Sequence, residues 1–283
     1  MRSHEDRTVL VVGASSGIGR ACAVRLARRG HRVFGTTRRP PGEVEAALRR
    51  ELRDSDRLEM IRMDVVDDRS VEAGVHAVVE RAGRIDGVVN CAGFGIGGSI
   101  EDTSDDEAKA IFETNFFGTL RVCRAVLPIM RKQGSGTIVN VSSIGGRIAV
   151  PFVGLYGATK FAVEGLTEAL RMEVHRFGVR VVLVEPGDFA TGFTDNRRPA
   201  RAALENEAYA DAYRAALAVI ERDDRGGSSP EAIARLVERI LVARSPRLRY
   251  TVGALFQRVA VVLRSVLPSK LFGWGLRKYY HIG

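Results

Sequence analysis

Short β-branched runs alternate along this chain with longer stretches of helical period, and that alternation restricts it to a parallel sheet covered by helices. A strand buried on both faces reads as a near-continuous apolar run. Seven runs qualify: Val9–Val12, Arg32–Thr36, Leu58–Met63, Gly87–Asn90, Thr137–Val141, Val179–Val184 and Leu248–Val252. Each is entered or left near Gly, Pro, Asp or Ser. We therefore expect an α/β chain with one doubly wound sheet of seven parallel strands and helices on both faces. Between the last two strands, residues 188–230 are long and charged, with a helical stretch around Leu204–Ile220. They are expected to form a lid outside the sheet.

A chain of 283 residues with 45% hydrophobic composition can bury a sizeable core, and we expect a single domain over 1–283. Met1 to Arg7 is polar and the first apolar run is too short for a leader, so a cytoplasmic protein is expected. Cys22, Cys91 and Cys123 are widely spaced and match no disulfide or zinc pattern, and the five histidines are scattered, so no metal is expected.

The net charge of +9 belongs to one end. From Arg239 to Gly283 there are nine basic residues and no acidic ones, which leaves 34 basic against 34 acidic in residues 1–238. No nucleic-acid partner is implied. The basic segment 254–283 is also amphipathic: Leu255, Phe256, Val259, Val262, Leu263, Val266 and Leu267 form one helical stripe flanked by Arg258 and Arg264. Leu271, Phe272, Trp274 and Tyr279 follow it. Arg258, Arg264 and Pro268 interrupt the stripe too often for it to span a membrane. The favoured reading is a helix packed on the substrate pocket or on a second subunit; the alternative is peripheral contact with an anionic lipid interface. A homodimer or homotetramer is the expected assembly.

The first apolar run leads through Gly13-Ala-Ser15-Ser16-Gly17-Ile18-Gly19 into a helix, so the glycines lie at a strand-to-helix junction. Such a turn brings free N–H groups and the positive end of a helix to a pyrophosphate. Alone it has a second reading, close helix–strand packing, and its spacing Gly-x3-Gly-x-Gly differs from the dinucleotide fingerprint. The end of the second strand carries Thr36-Thr37-Arg38-Arg39, with no carboxylate for the ribose hydroxyls of NAD. Two guanidiniums there suit a 2′-phosphate, which favours NADP(H); otherwise both simply solvate a loop.

Tyr156 and Lys160 open a segment of helical period and lie one turn apart on one face. A neighbouring ammonium favours the phenolate and would bring the phenol towards a working range, although such pairs also arise by chance.

Taken with its neighbours, this pair resembles the short-chain dehydrogenase/reductase family, in its single-domain subgroup and nearest the hydroxysteroid and retinol dehydrogenase branch. The resemblance covers almost the full chain. Gly13 to Gly19 matches the family's glycine motif, Asn90-Cys91-Ala92-Gly93 its Asn-Asn-Ala-Gly motif, and Tyr156 to Lys160 its Tyr-x3-Lys. Counting 13 residues back from the tyrosine gives Ser143, Thr114-Asn115-Phe116 supplies the asparagine, and Pro186-Gly187-x3-Thr191 matches a cofactor motif. Asp64-Val65 resembles the adenine-contacting segment. Val12 replaces a usual threonine and Cys91 a usual asparagine, and neither change removes a catalytic group.

The resemblance implies a Rossmann-type fold and an NADP(H)-dependent interconversion of a carbonyl and an alcohol. Tyr156 would be general acid/base, Ser143 would hold the substrate oxygen, Lys160 would lower the tyrosine pKa and hold the nicotinamide ribose, and Asn115 would hold a relay water. Ile144, Val150 to Val153, Leu155, Phe189 and Phe193 form an apolar set beside the chemistry. They point to a lipophilic ketone or alcohol of steroid, retinoid, fatty or polyketide type, or else to ordinary packing. NAD-retaining epimerisation or dehydration is disfavoured because no larger C-terminal substrate domain follows. A non-catalytic nucleotide sensor is disfavoured because Ser143, Tyr156 and Lys160 are all present.

Overall fold

The apolar runs become strands because their alternate side chains supply two separate cores. In the computed structural model, which describes residues 6–53, 55–192 and 196–282, β1 (Thr8–Val12) sends Val9 and Val11 to one core and Leu10 and Val12 to the other. All four are buried. The chain continues through α1 (Gly17–Arg28), β2 (Arg32–Thr37), α2 (Pro41–Glu51), β3 (Leu58–Arg62), α3 (Asp68–Ala82), β4 (Gly87–Asn90), β5 (Ile96–Gly97) and α4 (Asp105–Phe112). It proceeds through α5 (Gly118–Gln133), β6 (Gly136–Val141), α6 (Gly154–Val174), β7 (Val179–Pro186), β8 (Arg198–Pro199) and α7 (Glu207–Arg225). It closes with α8 (Glu231–Val242), β9 (Arg249–Val252), α9 (Leu255–Val266) and α10 (Ser269–Tyr279).

Seven strands pair in parallel in the order β3, β2, β1, β4, β6, β7, β9. On one face α1, α2 and α8 bring Leu26, Leu48 and Val237 against Val11, Val139 and Val182. On the other, α3, α5 and α6 bring Val75, Val126 and Leu170 against Leu10, Ile138 and Val181. The winding reverses between β1 and β4, so the loops leaving those two strands diverge and open a crevice at their carboxyl ends.

All seven expected strands are present, with small shifts at their ends: β7 runs on to Pro186, and Leu248 stands just outside β9. The region expected as a lid holds β8 and α7, and β8 pairs with β5 away from the main sheet. Two residues apiece are too few for these strands to show a period in the sequence. The expected C-terminal stripe forms α9, all but its last residue, and the apolar residues that follow it form α10. Leu267 is extended (ψ 145°) because the ring of Pro268 disfavours helical backbone before it, and this separates α9 from α10.

Candidate active site

The crevice begins at the glycine turn. Gly13 has φ +80°, and a Cβ there would lie 2.9 Å from the Ala92 nitrogen. A Cβ on Gly19 would lie 2.2 Å from the Gly13 carbonyl oxygen. Both positions serve close backbone approach, as the packing reading required. The rest of the turn faces open space: Ser15, Ser16, Gly17 and Ile18 line a cleft of about 870 Å³. Ser16, the residue before α1, makes no side-chain cap, and the first turn of α1 holds no acidic residue. The helix therefore offers its N–H groups and its positive end to the cleft, which suits a pyrophosphate.

Farther along, Thr36, Thr37, Arg38, Arg39, Val65, Ala92, Gly93, Lys160, Pro186, Gly187 and Thr191 complete the wall. Arg38 and Arg39 are exposed at its edge. Thr36, not singled out from sequence, accepts a hydrogen bond from the Gly13 N–H (3.2 Å) and so shapes the turn from β2.

Two residues expected at the cofactor stand apart from the cleft wall. Asp64 accepts a hydrogen bond from Val66 N–H (3.2 Å), forming a local turn, and it is Val65 and Val66 that reach the cleft. Asn90 points into the sheet, where its Nδ2 donates to Asn140 Oδ1 (2.8 Å). Asn140 donates on to Thr167 Oγ1 (2.9 Å), and Thr167 donates to the Val163 carbonyl (2.6 Å). This buried relay fastens β4 and β6 to α6, the helix that carries Tyr156 and Lys160. A buried polar group left unpaired costs about 1–3 kcal/mol, so the relay fixes where α6 sits. Asn140 and Thr167 carry no motif and were invisible in the sequence.

Tyr156 lies in the first turn of α6, and Ser143 stands two residues beyond the end of β6. Ser143 Oγ accepts from Gly145 N–H (3.0 Å) and hydrogen-bonds Tyr156. Ser142 is buried towards Glu164 instead. Lys160 Nζ donates to the Val141 carbonyl (2.9 Å) and sits 5.7 Å from the centre of the Tyr156 ring.

Burial dominates the electrostatics of both groups. Burial pushes the Tyr156 phenol up to about 12, and the Ser143 hydrogen bond only partly offsets this. Burial also draws the Lys160 ammonium down to about 8. Removal from water dominates at both groups, so the Tyr156 phenol stands above its ordinary value even with the ammonium 5.7 Å from its ring.

Asn115 lies in a π-helical turn, Glu113–Phe117, inserted between α4 and α5. Both amide N–H donors and one Oδ1 lone pair are engaged: Oδ1 accepts from Phe94 N–H (3.0 Å), and Nδ2 donates to the Phe94 carbonyl (2.9 Å) and to Thr159 Oγ1 (3.1 Å). Thr159 in turn donates to the Tyr156 carbonyl (2.7 Å). Asn115 thus braces the turn that carries Tyr156. Wide turns of this kind recur at functional sites.

A second cavity, of about 560 Å³, adjoins the cleft. Ile144, Val150 and Val153 line it as expected. Phe152 and Leu155 instead pack with Ile96, Ile111 and Tyr213, and Phe189 is buried in the core under α1 and α8. Phe193 lies outside the described residues. Much of the wall comes from the C-terminal helices: Ala260, Leu263, Phe272, Trp274 and Tyr280. Gln257 anchors α9 there. Its Oε1 accepts from Ala254 N–H (3.1 Å), and its Nε2 donates to Asp188, next to the Pro186-Gly187 loop. Burial, with Asp224 and Asp223 nearby, raises the Asp188 carboxyl to about 7. Arg197 pairs with Asp224 at 2.6 Å on the same wall.

A doubly wound parallel sheet, an uncapped helix end at its switch point, and a tyrosine–lysine helix beside it define a nucleotide-dependent oxidoreductase. The chain belongs to the short chain dehydrogenase family, whose model matches residues 7–202. It is 40% identical over 278 residues to a 3-ketodihydrosphingosine reductase of Bacteroides thetaiotaomicron, covering 98% of this chain and 99% of that one. Among solved structures, a short chain dehydrogenase/reductase from Burkholderia phymatum in complex with NAD is 27% identical, with TM-score 0.81 and 97% of each chain covered. An alcohol dehydrogenase from Thermococcus sibiricus complexed with 5-hydroxy-NADP is 25% identical, with TM-score 0.71, covering 90% of this chain and 99% of that one.

Proposed function

We propose that this chain reduces a lipophilic, long-chain ketone to a secondary alcohol at the expense of NADPH. The observation that carries the reading is that Ser143 and Tyr156 line both spaces, the glycine-turn cleft and the apolar cavity. Chemistry between the two spaces passes by these two hydroxyls. When bound, a reduced nicotinamide supplies the hydride.

Tyr156 gives its phenolic proton to the carbonyl oxygen, and a phenol held at about 12 keeps that proton at neutral pH until an alkoxide develops. Ser143, with one lone pair occupied by Gly145 N–H, turns its own hydroxyl to the same oxygen. Lys160, protonated at neutral pH, holds the ribose hydroxyls and returns a proton to Tyr156. Asn115 acts by position, through Thr159, because both of its amide N–H donors are already engaged. Arg38 and Arg39, exposed at the cleft edge with no carboxylate beside them at the end of β2, support the phosphorylated nucleotide over NAD. The apolar cavity supports a long-chain substrate, as does the substrate in the name of the Bacteroides relative.

Tyr156→Phe tests the proposal in an NADPH-oxidation assay with 3-ketodihydrosphingosine. Turnover should fall by about 10²–10⁴-fold while NADPH binding is retained. Turnover equal to that of the unaltered protein would overturn the assigned proton transfer.

A further inference from the structure

Nine of the fifteen exposed large apolar side chains among the described residues fall within residues 255–279. On α9, Gln257 and Val261 face inward, while Leu255, Val259, Val262 and Val266 face out. Val262 is 62% exposed and Val266 68%. α10 buries no residue at all. A surface helix normally covers its apolar stripe against protein, and this pair covers only one side of it.

The outer face is also uniformly basic. Arg258, Arg264, Lys270, Arg277 and Lys278 are exposed on the two helices, and no acidic residue occurs between Arg239 and Gly283. Both helices are held in place rather than loose. Gln257 ties α9 to Asp188, and the Tyr279 hydroxyl donates to Asp223 at 2.7 Å, tying α10 to α7. Phe256, Leu263, Leu271 and Trp274 are at once exposed and part of the cavity wall. The cavity therefore communicates with this same apolar face.

We propose that the outer face of α9 and α10 docks on an anionic phospholipid surface, lying in the interface, so that a lipophilic ketone enters the cavity directly from the bilayer. No helix among the described residues is long and apolar enough to cross. Apolar side chains at the acyl boundary with basic ones at the headgroups are what an interfacial helix requires. A second copy of the chain fits less well, since a two-fold contact would set this basic face against itself. The delivery step rests on the proposed reduction; the docking does not.

The test is flotation of the full chain with vesicles of phosphatidylcholine alone or mixed with phosphatidylglycerol. The protein should float with the anionic vesicles. Each basic residue near such a surface is worth about fivefold in partitioning, so Arg258→Gln/Arg264→Gln/Lys270→Gln should partition roughly a hundredfold more weakly. Val259→Asp/Val262→Asp/Val266→Asp, at positions outside the cavity wall, should abolish flotation. The same variant should turn over a short, water-soluble ketone normally and a vesicle-borne long-chain ketone slowly. Protein that stays in the aqueous phase, or floats equally in all three forms, overturns docking. So does a wild-type oligomer in sedimentation that the Asp variant dissociates. Docking without turnover of any ketone would overturn the proposed reduction and leave docking standing.

Discussion

Lys160 is held in the fold at an electrostatic cost that can be measured. It is 7% exposed, its Nζ has one neutral partner at 2.9 Å, and burial lowers it from 10.5 to about 8. Cys91 and Glu164 favour the charged form and are outweighed. Because the folded pKa lies below the unfolded one, the unfolded chain holds the extra proton between those values, and stability must rise with pH across that window. The penalty is complete below about 8 and gone by about 10.5. From the two values it amounts to about 3 kcal/mol at pH 7 and about 1.5 kcal/mol at pH 9.5.

Lys160→Met keeps the stem and discards the charge. It also removes the hydrogen bond to Val141, worth about 1–3 kcal/mol, and the part of that bond that depends on the lysine's charge is already contained in the folded pKa. Urea denaturation of both proteins at pH 7.0 and 9.5 isolates the titrating part. The unaltered protein should gain on the variant by about 2 kcal/mol as pH rises between them. The variant should also lose reductase activity at both pH values. A stability gap that does not change with pH would refute the claim that Lys160 is stored as a destabilised cation.

Three further outcomes are expected. Arg38→Ala and Arg39→Ala should each lower kcat/KM for NADPH by roughly tenfold, the lower range for a charge-assisted bond at an exposed site, and leave NADH almost unchanged; equal losses for both nucleotides would count against 2′-phosphate recognition. Gly19→Ala places a methyl group 2.2 Å from the Gly13 carbonyl, so the turn must shift, with a stability loss of about 1–3 kcal/mol and weaker nucleotide binding by fluorescence titration. Thr167→Val strands the Asn140 amide and should lower stability by about 1–3 kcal/mol in thermal or urea unfolding, with a smaller loss of kcat as α6 loosens.

The sequence by itself determined the seven strands, the glycine turn, the pairing of Tyr156 with Lys160 on one helix face and the basic amphipathic tail. These are local facts: a period of two or of 3.6, a residue at a strand end, a spacing of four. Tertiary structure decided the rest. It turned Asn90 away from the cleft into a relay with Asn140 and Thr167, and it engaged the Asn115 amide with Phe94 and Thr159. It folded α9 and α10 over the cavity on one side while leaving their other side bare. It also set how far burial raises Tyr156 and lowers Lys160, because desolvation depends on how completely distant segments close over a group, and no spacing along the chain records that.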